Sequence, residues 1–259
     1  MIFDTHAHYD DEAFDSDREE LLRTMVPGGV GRILDMAATP ESLEKVVEIA
    51  ESHYFIYGAV GLHPDEAGKL TDKVCMQLRK LLERRKIVAV GEIGLDYHWD
   101  VWPHDVQAEA FRKQMLIALD YDVPICVHSR AANLDTFEML TDMYGSGRGR
   151  EAIRKGVIHA YPGSLEQAKI YTEMGFYLGI GGVVTYRTSK KLKKVVDGIP
   201  LKHLLLETDC PYLSPETKKG ERNTSLNLHE VVRAIAEIKG VTEEEVEKVT
   251  WDNATRLFL

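Results

Sequence analysis

Short apolar runs alternate with amphipathic stretches along the whole of this 259-residue chain, and that alternation restricts its fold more than any other feature. Eight runs read as strands, at residues 2–5, 32–36, 55–60, 87–91, 124–128, 156–159, 176–180 and 203–207. Most are rich in Val, Ile and Leu without strict alternation, as expected of parallel strands buried on both faces. Between them, helical spacing recurs near 17–26, 40–52, 72–85, 104–121, 133–144, 164–174 and 188–197; in the second of these Leu43, Val46, Val47 and Ala50 share one face. Two further helices are expected near 226–239 and 243–257, the last opened by a capping box of Thr242 and Glu245. Eight strands alternating with helices over about 250 residues is the length and order of a (β/α)₈ TIM barrel, an α/β fold, here one domain covering residues 1–259. A doubly wound open sheet is the alternative, but neither G-x-G-x-x-G nor G-x-x-x-x-G-K-[ST] follows the first strand. Two stretches read as mobile: the Gly/Arg-rich 145–150, and the long polar 211–225 after the last strand, where a barrel enzyme builds its active site.

No run approaches 18 apolar residues, and the N-terminus lacks both a basic region and an apolar core, so neither a membrane span nor a signal peptide is expected. Cys75, Cys126 and Cys210 are odd in number and far apart, which fits reduced thiols in a cytoplasmic protein. The net charge of −10 argues against an extended basic groove for nucleic acid. It does not exclude an enzyme that grips one or two phosphates through cations, because bound metals carry their own positive charge. Nothing in the sequence asks for an obligate protein partner.

The polar residues at the strand ends carry the chemistry. His6 and His8 stand at i and i+2, so in an extended segment both imidazoles point to one face. Later strands end in Gly61-Leu-His63-Pro, Gly91-Glu92-Ile-Gly-Leu-Asp96, His128-Ser-Arg130, His159-Ala-Tyr161 and Glu207-Thr-Asp209. In a barrel all of these face one mouth. Four of these histidines and two of these carboxylates would supply N and O donors that suit Mg²⁺, Mn²⁺ or Zn²⁺. Six donors exceed the four that one tetrahedral ion takes and are the right supply for two ions sharing a carboxylate.

These motifs, in this order and spacing, closely resemble the TatD family of metal-dependent deoxyribonucleases, part of the amidohydrolase-like barrel superfamily. The resemblance spans essentially the whole chain. It implies a nuclease with two divalent metal ions, one held by His6, His8 and Asp209, the other by His128 and His159, with Glu92 bridging. It implies hydrolysis of a phosphodiester by a metal-activated hydroxide, with Asp209 orienting the water and taking its proton and His63 supplying a proton to the leaving oxygen. Arg130 and Arg187 are expected to offset phosphoryl charge. Tyr161, with Tyr97 and Trp99, is a candidate to stack on a splayed base. The expected substrate is single-stranded DNA or RNA, attacked from an end, because a confined mouth suits a chain end better than a duplex.

The chain departs from the family at three places. Family members often carry His-Cys-Phe where this chain has His159-Ala160-Tyr161, Thr-Phe-Lys where it has Thr185-Tyr186-Arg187, and Arg-Asn-Glu-Pro where it has Arg222-Asn223-Thr224-Ser225. The second departure keeps the positive charge; the third leaves the last loop's conformation and substrate preference open. The competing functional reading is a hydrolase of small esters, lactones or amides on the same fold. Many relatives of that kind bridge their metals with a lysine, whereas strand four here ends in Glu92.

Overall fold

The computed structural model describes residues 1–152 and 154–259. The eight apolar runs form one sheet in the order β1 (Ile2–Ala7), β2 (Val30–Met36), β3 (Ile56–Val60), β4 (Ile87–Asp96), β5 (Ile125–Arg130), β6 (Gly156–Ile158), β7 (Tyr177–Ile180) and β8 (Leu204–Leu206), each parallel to its neighbour. The first and last strands close on each other just beyond β8. Ala7 bridges Cys210, the His8 amide donates to the Cys210 carbonyl at 2.8 Å, and the Asp209 amide donates to the His6 carbonyl at 2.8 Å. The two metal-ligand candidates of β1 and the one that follows β8 therefore meet at the seam of the barrel.

Phe3, Leu34, Ala59, Ala89, Cys126, Val157 and Leu205 come from seven different strands, yet they pack as one cluster with Leu257 and Phe258. Only a sheet curled on itself brings residues from seven strands to a common centre. Leu257 and Phe258 belong to the last helix, α9 (Glu243–Phe258), whose end plugs the barrel beneath that layer. The intervening helices are α1 (Arg18–Met25), α2 (Ser42–Ser52), α3 (Asp72–Leu81), α4 (His104–Asp120), α5 (Asn133–Leu140), α6 (Leu165–Glu173), α7 (Lys190–Gly198) and α8 (Leu228–Lys239). The Thr242 hydroxyl accepts from the Glu245 amide, as the capping spacing predicts. Among the described residues, no helix is long and apolar enough to cross a membrane, and all three cysteines are free.

Strand ends moved most between sequence and structure. β4 runs five residues past Gly91, and β5 continues to Arg130. Gly94 makes this possible: its φ is +152°, and a Cβ there would lie 1.9 Å from the His128 carbonyl oxygen. The two backbones approach where Gly94 pairs with His128, and a side chain would push them apart. The loop 211–225 is tied to the barrel. Asn223 donates to the carbonyls of Thr208 (3.0 Å) and Tyr212 (2.8 Å), and Arg222 forks onto both oxygens of Asp17 at 2.8 and 2.6 Å. Ser225, one of the residues that depart from the family pattern, donates to Asp4 Oδ2 at 2.6 Å and meets the Tyr9 hydroxyl at 2.8 Å. Asp4 in turn accepts from the amide and hydroxyl of Thr208, so the altered loop braces the strand that carries His6 and His8.

Candidate metal centre

His6 Nε2, His8 Nε2, Glu92 Oε2 and Asp209 Oδ1 converge at the C-terminal mouth of the barrel. His6 lies 3.2 Å from His8, 3.4 Å from Glu92 and 3.6 Å from Asp209; His8 lies 3.6 Å from Glu92 and 3.3 Å from Asp209. Donors 2.0–2.2 Å from one tetrahedral ion stand about 3.3–3.6 Å apart. The three donors of His6, His8 and Asp209 therefore already stand at the spacing that a cation needs, and Glu92 Oε2 faces both histidines from the other side. The lone pair of His8 also faces the right way. His8 Nδ1 donates to the Met36 carbonyl at 2.8 Å, which in the neutral ring leaves Nε2 bare. On this chemistry the residues fit a divalent metal.

The second set is less regular. Glu92 Oε1 sits 2.9 Å from His128 Nδ1 and 3.9 Å from His159 Nε2. His159 Nε2 also lies 3.5 Å from Asp209 Oδ1, and its ring stacks on that of His6 at 3.5 Å. Glu92 thus presents one oxygen to each side. His63 joins this side: it shares a compact donor group with Glu92 and His128, and its ring meets His128 edge-on at 4.4 Å.

Two carboxylates that the sequence places at the mouth without a role there hold the histidines from behind. Asp96 Oδ2 takes His128 Nε2 at 2.9 Å, which turns Nδ1 towards Glu92. Glu207 Oε1 lies 3.1 Å from His159 Nδ1 and accepts from the Ala160 amide at 2.6 Å. Such outer partners fix the tautomer and orientation of ligand imidazoles. Glu207 lies tight against β7, where a Cβ on Gly179 would fall 2.0 Å from Oε2. The backbone beside these braces is strained, with φ of +40° at Ala160, which follows His159, and +59° at the ligand candidate Asp209.

Charge balances locally. Burial pushes Glu92 and Asp209 up, but the surrounding imidazoles reverse this and hold both below the ordinary carboxylate range. Burial likewise disfavours charged His8, His128 and His159, yet the neighbouring carboxylates win and raise them to about 10, 9 and 10. His6 and His63 go the other way under burial, His63 to about 4. Without a cation, protons on three imidazoles offset the carboxylates.

The cluster floors a cleft of ≈ 810 Å³ whose walls include His63, Asp96, Trp99, Arg130, Tyr212 and Leu213. Arg130 lies over the Trp99 ring at 5.3 Å, and Trp99 is 61% exposed. A side pocket of ≈ 320 Å³, lined by Val183, Leu192, Leu213 and Pro162, opens beside Asp209. Two expected substrate contacts stand apart from the cleft. Arg187 is solvent-exposed and faces Glu216 at 3.6 Å, because the segment after β7 turns outward. Tyr161 is buried, its hydroxyl donating to the Ser164 carbonyl and its ring packed on Tyr171, so it offers no free face to a base. Tyr97 stacks on His104 at 3.5 Å and donates to Asp135.

Comparison with known proteins places these features in a family. The family model for TatD-related DNases matches residues 3–259. The chain is 40% identical to the uncharacterized metal-dependent hydrolase YabD of Bacillus subtilis, covering 100% of this chain and 99% of that one. It is 30% identical to a protein of Cronobacter sakazakii named 3'-5' ssDNA/RNA exonuclease TatD, covering 100% and 98%. The crystal structure of YjjV, a TatD homologue from Escherichia coli, superposes with a TM-score of 0.91 at 34% identity over 99% of this chain and 97% of that one.

Proposed function

The chain belongs to the TatD family of metal-dependent hydrolases, and on that premise we propose that it is a two-metal phosphodiesterase that shortens single-stranded DNA or RNA from an end. The observation that carries this reading is the donor cluster itself, in which one carboxylate, Glu92, offers an oxygen to each of two sets of ligands on the floor of an open cleft. Two bound divalent ions would acidify a coordinated water and neutralise charge on a phosphoryl group held between them.

The chain's own groups do the rest. Asp209 is more accessible than Glu92, with 17% of its side chain exposed against 5%, which supports a role for it in orienting the attacking water and accepting its proton. His63 Nδ1 accepts from the Asp65 amide at 3.2 Å, so the proton of the neutral ring sits on Nε2. Burial keeps that ring neutral at pH 7, and it serves as a hydrogen-bond donor to a phosphoryl or leaving oxygen. Arg130 offers charge to a non-reacting phosphate, and the exposed face of Trp99 beside it suits a base. The name of the Cronobacter relative points to the same substrate class.

The side pocket favours a second reading, hydrolysis of small esters, lactones or amides, because its apolar walls would take a compact leaving group next to Asp209. One assay separates the two: a 3′- or 5′-labelled single-stranded oligonucleotide run beside a lactone and a phosphotriester panel. Stepwise shortening of the oligonucleotide supports the nuclease, and turnover confined to the small-molecule panel overturns it.

A further inference from the structure

Residues 187–194 carry five cationic side chains and no acidic one, in a chain whose net charge is −10. Four of the five are Lys190, Lys191, Lys193 and Lys194, all in the first half of α7. Positive charge there opposes the helix dipole, which favours anions at an N-terminus. Nothing local compensates. The first turn holds no acidic residue, Ser189 bonds the Val184 and Tyr186 carbonyls instead of capping the helix, and none of the four lysines pairs with a carboxylate among the described residues. A sequence that works against its own helix in this way marks a segment kept for something other than stability.

The segment also lies beside the site. α7 starts at the C-terminal end of the barrel, Leu192 lines the side pocket, and Lys191 Nζ donates to the Pro162 carbonyl at 2.8 Å. Pro162 lines the main cleft as well. Lys190 and Lys194 remain exposed, with Lys193 half-buried between them. We propose that Lys190, Lys193 and Lys194 form a rail for the phosphate backbone of the part of the strand that has not yet entered the cleft. This deepens the nuclease reading and rests on it, because a rail has a purpose only for a polyanion longer than the cleft. The acidic total conceals the patch: ten excess negative charges are spread over the whole molecule, whereas these cations are concentrated in the first half of one helix that starts at the C-terminal end of the barrel.

The test is binding, measured by fluorescence anisotropy on the protein as purified, with a labelled, hydrolysis-resistant phosphorothioate 15-mer and a labelled dinucleotide. The triple variant K190Q/K193Q/K194Q is expected to bind the 15-mer about tenfold more weakly at low salt. Its log–log salt slope should be shallower by about two, since each single-strand phosphate contact contributes about 0.7. The dinucleotide, too short to extend from the cleft along α7 to Lys190, Lys193 and Lys194, should bind both proteins alike, and arginine at the same three positions should keep the 15-mer affinity. Equal 15-mer affinity and slope in wild type and triple variant would overturn the rail, as would equal loss on both ligands. Absence of oligonucleotide hydrolysis in the wild type would overturn the nuclease reading instead, so the two failures are distinct.

Discussion

On the β1–β8 side of the cluster, the donors of His6, His8 and Asp209 stand 3.2–3.6 Å apart on a seam locked by backbone hydrogen bonds, with Glu92 Oε2 3.4 and 3.6 Å from the two histidines. On the β5–β6 side, the donors of His128 and His159 stand 2.9 and 3.9 Å from the same bridging carboxylate. One is closer and one farther than a shared ion allows, so these side chains must move to coordinate. The cost of ordering them comes out of the second ion's binding energy. The first side is a preformed site and the second an adaptable one, which predicts a tight ion and an exchangeable ion.

The largest effect should come from the residue common to both sides. Glu92→Gln keeps shape but places an NH₂ donor where a ligand is needed. kcat/KM on an oligonucleotide is expected to fall by about three orders of magnitude, a barrier increase of about 4 kcal/mol. Circular dichroism should be unchanged, since strand-end residues serve function more than stability. The next pair splits the halves. His6→Ala should abolish the ion that survives extended dialysis, whereas His128→Ala should retain it and lose only the readily exchanged one; elemental analysis before and after dialysis reads the difference. If both variants lose the same ion, the asymmetry is wrong.

Asp96→Asn sharpens the comparison on the adaptable side. It leaves His128 in place but weakens the acceptor for Nε2, and loss of such a partner typically weakens metal binding about 10–100-fold. A metal titration should show the weak event shifted and the tight event unmoved. Proton linkage gives a smaller effect of definite sign. His8 and His159, raised to about 10, and His128, raised to about 9, hold protons at pH 7 in the metal-free protein. A cation must expel them, so apparent affinity rises with pH up to those values and falls as the pH drops. Calorimetry in buffers of differing ionisation enthalpy should register protons released on binding; zero release contradicts the assignment. The smallest change tests the brace. Ser225→Ala removes the hydroxyl from Asp4 and Tyr9 and should cost about 1–3 kcal/mol in denaturant unfolding while leaving metal content intact.

The barrel was legible because buried parallel strands write themselves as apolar runs, and the donors were legible because each follows such a run. The bracing role of Asp96 was not legible, because the apolar run of strand four reads only as far as Gly91. Once Gly94 is seen to let β4 continue alongside His128, the four-residue spacing from Glu92 to Asp96 puts both carboxylates on one face. Glu207 carried a similar signal, two residues before Asp209. The outward course of Arg187 and the burial of Tyr161 were not legible, because both depend on how loops pack after the strands end. The basic half of α7 was hidden by averaging charge over the chain.

A two-ion centre sharing Glu92 is tested most directly by a crystal grown with Mn²⁺ and recorded at an anomalous wavelength. It predicts two anomalous peaks about 3.5–4 Å apart, one within ligand distance of His6, His8 and Asp209, the other of His128 and His159, with a Glu92 oxygen on each. A single peak at full Mn²⁺ occupancy, or two peaks of which only one touches Glu92, would contradict it.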